Sequence, residues 1–238
     1  MWQWFALDRS GGFTYYVKFV APLALVGCVG QPGQLVPEAL PPLDDATVAR
    51  WIERHVPQEA LRYDLRWVYA TQQGQTRGRA AVRFVPPDSI RFDYRAPFGR
   101  SGATVIIGDE VLWSEPEAEV SVFAQTAPLF WALMGMPRSA PDGFEVSGVE
   151  RGNERVWRYA GLVDTLTYVF VEAQPKVLRL EMRQAGTVIG TVETEMNDTT
   201  GYARQGTMRF PQAAAVFRVT VREVVTMTEI DDGVWKRP

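Results

Sequence analysis

The stretch Leu61-Arg-Tyr-Asp-Leu-Arg-Trp-Val-Tyr-Ala70 decides how the rest of the chain is read. Leu61, Tyr63, Leu65, Trp67 and Tyr69 fall on one side of an extended chain, and Arg62, Asp64 and Arg66 on the other. A period of two over so many residues is the pattern of a strand with one buried and one wet face. The pattern repeats after Gln73-Gly74-Gln75. Gly78, Ala80, Val82 and Phe84 oppose Arg77, Arg79 and Arg83, until Pro86-Pro87 stops the segment. It repeats again where Ile90, Phe92 and Tyr94 oppose Arg91, Asp93 and Arg95. Three alternating segments joined by short turns predict an antiparallel sheet.

Outward from this core, strands are predicted at 103–108 and 111–114, around Asp109-Glu110. They resume at 144–149 and continue in short steps to about 228. Leu178, Leu180 and Met182 face inward on one of them, Phe217, Val219 and Val221 on another. Two segments break the period. Val48, Trp51, Ile52 and His55 lie on one face of a short helix that Asp44 or Asp45 can cap and Pro57 ends. His55 is read as a core or capping histidine. Residues 124–136, with Phe130, Trp131, Leu133, Met134 and Met136, read as an apolar helix closed by Pro137. The expected fold is mainly β: about 11 strands in one curved antiparallel sheet, a half-closed barrel covered by one or two helices. Open twisted sheets rarely exceed about ten strands without curling.

Composition bounds the function. Of 238 residues 46% are hydrophobic and 22% charged, and the net charge is -3. That profile belongs to a globular chain with a sizeable core. It lacks the basic excess of a nucleic-acid binder. His55 and Cys28 are the single histidine and cysteine. A Cys/His zinc site and an intrachain disulfide are therefore excluded. A histidine-based catalytic device would have to use His55. Glu115, Glu117 and Glu119, like Glu193 and Glu195, alternate along strands and so share a wet face. Asp231-Asp232-Gly233 offers too few oxygens for a calcium loop. The reading is of a chain that is not an enzyme and uses no metal or cofactor.

The N-terminal region has the layout of an export signal. Lys18 precedes the apolar run 19–27, which ends at Leu25-Val26-Gly27-Cys28. That tetrapeptide resembles the bacterial lipobox, which implies a signal peptide over 1–27 and acyl chains attached to Cys28. Val29, rather than Asp, follows the cysteine. By the same resemblance this favours the outer membrane, periplasmic face. Residues 28–45 contain Gly30, Pro32, Gly33, Pro37, Pro41 and Pro42 and read as a flexible tether. The domain is then expected over 46–230, with a C-terminal tail at 231–238.

The lipobox, the helix before the first strand, the segment Arg91-Phe-Asp-Tyr-Arg-Ala-Pro-Phe-Gly99 and the helix Leu129-Phe-Trp-Ala-Leu-Met-Gly-Met136 together resemble the LolA/LolB family of lipoprotein-sorting proteins, the LolB side most. The resemblance implies a hydrophobic cavity for acyl chains of lipoproteins or lipids, without cofactor. Delivery would be to a membrane, with a periplasmic carrier protein as a further partner. The cavity walls would be Trp67, Tyr69, Phe84, Phe92, Tyr94, Trp113, Phe130, Trp131, Met134, Tyr168 and Phe170. Pro97-Phe98-Gly99 would form a membrane-insertion loop. Two alternatives stand beside this. The inward aromatics can be ordinary core of a scaffold lipoprotein that binds a protein partner. Phe98 can be a turn residue tucked into the core. The arginines Arg62, Arg66, Arg77, Arg79, Arg83, Arg91 and Arg95 form either a solvated face or a docking patch for anionic headgroups or an acidic carrier.

Overall fold

Leu61–Thr71 forms strand β1 and Gly74–Val85 forms β2, paired antiparallel with Leu61 opposite Phe84 and Thr71 opposite Gly74. The computed structural model describes residues 35–36, 38–116, 126–139 and 142–237. The first 34 residues, including the expected signal peptide and Cys28, lie outside them.

The order continues with β3 (Ser89–Arg95), β4 (Ser101–Ile107), β5 (Glu110–Glu115), β6 (Glu145–Arg151), β7 (Glu154–Ala160) and β8 (Asp164–Val171). Then come β9 (Val177–Gln184), β10 (Thr187–Met196), β11 (Ala203–Phe210) and β12 (Ala215–Thr226). All twelve belong to one antiparallel sheet ordered β5-β4-β3-β2-β1-β12-β11-β10-β9-β8-β7-β6. The sheet is curved and not closed, because β5 and β6 end the order without pairing. Helix α1 (Asp45–Glu53) precedes β1, and helix α2 (Ala127–Leu133) sits in the β5–β6 connection. No helix among the described residues is long and apolar enough to cross a membrane.

Both helices lie on the inner face of the sheet. In α1 the Asp44 carboxylate accepts from the Thr47 amide at 2.9 Å, capping the first turn. Val48, Trp51 and Ile52 point inward, and the Trp51 ring meets Trp157 of β7 at 5.9 Å. Helix α2 is buried on every side: Ala127, Leu129, Trp131, Ala132 and Leu133 are at most 1% exposed. A short helix with no polar face is stable only under such cover. Each large side chain so buried contributes roughly 1.5–3 kcal/mol.

Glycines make the seat. A Cβ on Gly190 of β10 would fall 2.4 Å from Leu129 Cδ1, and one on Gly206 of β11 would fall 2.7 Å from Leu133 Cδ1. The helix can therefore lie close to the strands at those two points. Thr194 Oγ1 donates to the Ala132 carbonyl at 2.8 Å, and Trp131 Nε1 donates to the Gly108 carbonyl at 2.8 Å. The first bond ties α2 to β10. The second ties it to the β4–β5 turn on the other arm of the sheet.

Part of the expected flexible tether, and the expected C-terminal tail, are packed on the sheet. Residues 35–36 and 38–43, inside the expected tether, run along the outer face and edge of β6–β9. Val36 is buried with Val156 and Val169, and Leu35 and Leu40 pack beside them. The Leu35 amide donates to the buried Glu181 carboxylate at 3.2 Å, and Arg158 donates to the Val36 carbonyl. Pro42 bridges Ser147 on the β6 edge. The tail is held too: Trp113 Nε1 donates to the Trp235 carbonyl at 2.7 Å. In both places a few apolar side chains find an apolar strip on the outer face, which outweighs the proline and charge content around them.

Candidate functional site

The register places the β1–β2, β3–β4, β7–β8, β9–β10 and β11–β12 turns at one end of the sheet. At this end, on the inner face of β1–β3 and β12, several aromatic side chains meet. Trp67 contacts Tyr94 edge-on at 6.2 Å and Phe217 at 6.1 Å. Phe92 contacts Tyr94, Phe130 and Phe217, each at 6.4 Å. These tilted and edge-to-face contacts are favourable ring geometries. Trp67 is fixed by its own hydrogen bond, Nε1 to the Arg79 carbonyl at 3.1 Å. Gly78 makes room for it, since a Cβ there would fall 2.6 Å from the indole.

Trp67 and Phe130 form the floor of this shelf, each 6% exposed. Phe92, Tyr94 and Phe217 are half-buried, and Tyr69 at its outer limit is 41% exposed. The shelf is a surface of partly uncovered rings at the margin of the buried core.

Of the residues expected to line a cavity, Trp67, Tyr69, Phe92, Tyr94 and Phe130 come together here. Phe84, Trp131 and Met134 do not line open space. They are 0%, 1% and 3% exposed, within the core that α2 covers. Tyr168 and Phe170 are equally buried on the other arm, where Tyr168 stacks on Trp157 at 5.0 Å. Trp113 corrects the expectation outright: it lies on the outer face with Ala103, Val105 and Trp235, beneath the Arg91 guanidinium at 5.2 Å. Phe217 belongs to the shelf and was missed as a site residue, although its inward direction was legible.

Phe98 stands fully exposed at the β3–β4 turn, with φ of 62°. The left-handed region is uncommon for a bulky residue. The turn is closed by the Ala96 amide donating to the Arg100 carbonyl at 2.7 Å. The reading of Phe98 as tucked into the core is therefore overturned. Leu162, at the β7–β8 turn of the same end, is fully exposed as well.

His55 lies at the opposite end. Its ring stacks on Phe170 at 3.7 Å, and its Nε2 has no hydrogen-bond partner. Burial pushes its pKa from 6.5 down to about 4, although Glu172 opposes the shift. It borders a hollow of about 240 Å³ with Arg54, Glu172, Lys176 and Tyr202. A second hollow of about 170 Å³ lies under Leu35 and Val36. Both are smaller than ordinary small-molecule sites. Among the described residues no three His, Cys, Asp or Glu side chains gather to hold a metal ion.

No protein-family model matches the chain, and no curated protein matches it by sequence. Solved structures do match. One is a LolA superfamily protein from Nitrosomonas europaea, at a TM-score of 0.55 and 9% identity, covering 82% of this chain and 98% of that one. Another is a domain from Vibrio parahaemolyticus described as an outer membrane lipoprotein-sorting protein. It matches at a TM-score of 0.53 and 9% identity, covering 79% of this chain and 94% of that one. With its open twelve-stranded sheet and inner helices, the chain has the LolA/LolB-like fold.

Proposed function

We propose that the chain is a lipid-anchored protein of the bacterial envelope that binds acyl chains on the aromatic shelf. Its role is in placing lipoproteins or lipids at the outer membrane, without catalysis. The carrying observation is the shelf itself: linked ring contacts in which Trp67 and Phe130 are the buried floor and Phe92, Tyr94 and Phe217 are half-buried, at the end of the sheet where Phe98 projects. A flexible chain laid across such rings gains about 25 cal/mol for each Å² of apolar surface removed from water. The fold supports the reading, as does the lipobox before Cys28, which supplies the anchor. A periplasmic carrier would hand the acyl chain over at the same end.

The test is displacement of a fluorescent fatty acid. Phe92→Glu with Phe217→Glu places two charges where an acyl chain would lie, which is costly without partners. Both positions are half-buried, so the variant is expected to fold. Affinity should fall at least about tenfold. A folded variant that binds as tightly as the parent would remove the shelf from the reading. Attachment is tested separately: Cys28→Ser should lose incorporation of a fatty-acid label and leave the membrane fraction.

One observation favours a second reading. The space beneath α2 is filled, with Phe84, Trp131 and Leu133 at most 1% exposed. A scaffold lipoprotein of this fold, binding a protein partner, needs no hollow. Lipid extraction and mass spectrometry of the purified protein separate the two readings.

A further inference from the structure

The outer face of β1, β2, β3 and β12 carries two bands of arginine that differ in their compensation. In the band further from Phe98, Arg62 lies opposite Arg83, and Arg83 opposite Arg91. Two aspartates pair with this row. Arg62 pairs with Asp64 at 2.7 Å, Arg91 with Asp93 at 2.8 Å, and Arg83 also meets Asp93. Arg91 is further satisfied by the Lys236 carbonyl at 3.0 Å.

In the band nearer Phe98, Arg66 lies opposite Arg79, and Arg79 opposite Arg95. Arg77 and Arg218 flank Val68 from either side. All five are exposed. None is among the ion pairs formed by the described residues. Like charges directly opposite on neighbouring strands are destabilising. The fold thus tolerates a row with no ion pair where its neighbour, four residues away along the strands, sets two aspartates against three arginines. The whole chain carries a net charge of -3, so this attraction for anions is local and orients the molecule.

The band ends at Arg95, and Phe98 follows three residues later, fully exposed in its left-handed turn. We propose that this band docks on an anionic bilayer surface, its arginines against lipid phosphates. A protein partner would be met by an apolar centre several residues wide with a polar rim. Here no large exposed apolar side chain stands among the five arginines, which suits a layer of phosphates. The inference rests on strand register and charge and does not depend on acyl-chain binding at the shelf.

The experiment is vesicle co-sedimentation of the full-length chain carrying Cys28→Ser, so that no acyl anchor contributes. Vesicles of phosphatidylcholine with about 30% phosphatidylglycerol are compared with phosphatidylcholine alone, which accounts for any binding through the apolar run 19–27. The preference for anionic vesicles should disappear at about 0.5 M salt, where charges are screened over a few ångströms. Each basic residue at such a surface is worth about fivefold, so Arg66→Gln with Arg79→Gln and Arg95→Gln should lower the anionic preference about a hundredfold. Its melting temperature should hold or rise, because repulsion is relieved. Arg62→Gln with Asp64→Asn should leave vesicle binding unchanged. Retained preference in the triple variant would overturn the proposal. So would arginine-dependent binding to polyglutamate with none to vesicles, which would assign the band to an acidic protein. Fatty-acid affinity in the triple variant should match the parent, so failure here and failure of the shelf remain distinguishable.

Discussion

Replacing His55 by Phe should remove a pH dependence from folding while leaving the packing in place. The imidazole stacks on Phe170 at 3.7 Å, and a phenyl ring can take the same position. At neutral pH the cost is small, because Nε2 has no hydrogen-bond partner to lose. Burial holds the His55 pKa near 4 in the folded chain, against 6.5 when unfolded. Between those values the unfolded state binds the extra proton, so stability falls as pH falls through this window. The full difference is about 3 kcal/mol, of which roughly 2 kcal/mol is lost between about pH 7 and about pH 4.5. Glu172, 4.0 Å from Nε2, works against the loss, while Arg155, Lys176 and Arg54 add to it. Urea unfolding at the two pH values measures the effect. The parent should lose about 2 kcal/mol more than His55→Phe over this interval. Parallel losses in the two proteins would refute the assignment of a buried, neutral His55.

Phe98→Ala should change stability by less than about 0.5 kcal/mol, since a fully exposed ring buries nothing. Phe98→Glu should nevertheless abolish delivery of a lipid to vesicles, because a carboxylate resists entry into hydrocarbon. Trp131→Phe keeps most of the volume and loses the 2.8 Å bond to the Gly108 carbonyl, costing about 1–3 kcal/mol in chemical denaturation. Trp131→Ala should cost about 3–5 kcal/mol. Gly206→Val forces a Cβ to within 3.0 Å of the Leu133 carbonyl oxygen, which cannot swing away as a side chain can. Calorimetry should show a melting temperature several degrees lower, from a loss of about 1–3 kcal/mol.

The sheet was legible because polar and apolar residues alternate cleanly through β1, β2 and β3, and the core contains the inward set Leu61, Tyr63, Leu65 and Trp67. Twelve strands form where about eleven were expected. The inserted helix was legible as an apolar run that breaks the period. Its position over the sheet was not. Alternation tells which face a residue occupies, not which part of that face a helix covers. Hence Phe84 and Phe92, two positions of the same inward pattern, part company: one is core and the other shelf. Gly190 and Gly206 were the available signal, small residues on facing strands where α2 settles.

Trp113 was misplaced for a specific reason. The β4–β5 pairing slips between Val105 and Ile106, so Val105 faces Trp113 but Ile106 faces Val111. The extra residue, Leu112, reverses the side from which the next residue projects. No periodicity argument sees such a bulge. The docking of residues 35–36 and 38–43 and of the tail escaped notice because prolines and charges dominate their composition. Docking there depends on Val36 and Trp235, each set against an apolar strip that only the folded sheet assembles.

The strand order carries a consequence for how the chain finds its shape. Read from β6 across to β12 and on from β1 to β5, neighbours in the sheet are neighbours in sequence everywhere but at one seam. Each arm is a meander of local hairpins, which close quickly because little loop entropy is lost. The β1–β12 seam joins Trp67 to Val219, across nearly the whole domain, and is the sheet pairing with the largest loop-closure cost. A circular permutant opened between β5 and β6, with its original ends linked, would turn that seam into one more local connection. The fold is thus a single serpentine ribbon whose first and last strands lie side by side at its middle, and whose two outer strands are consecutive in sequence.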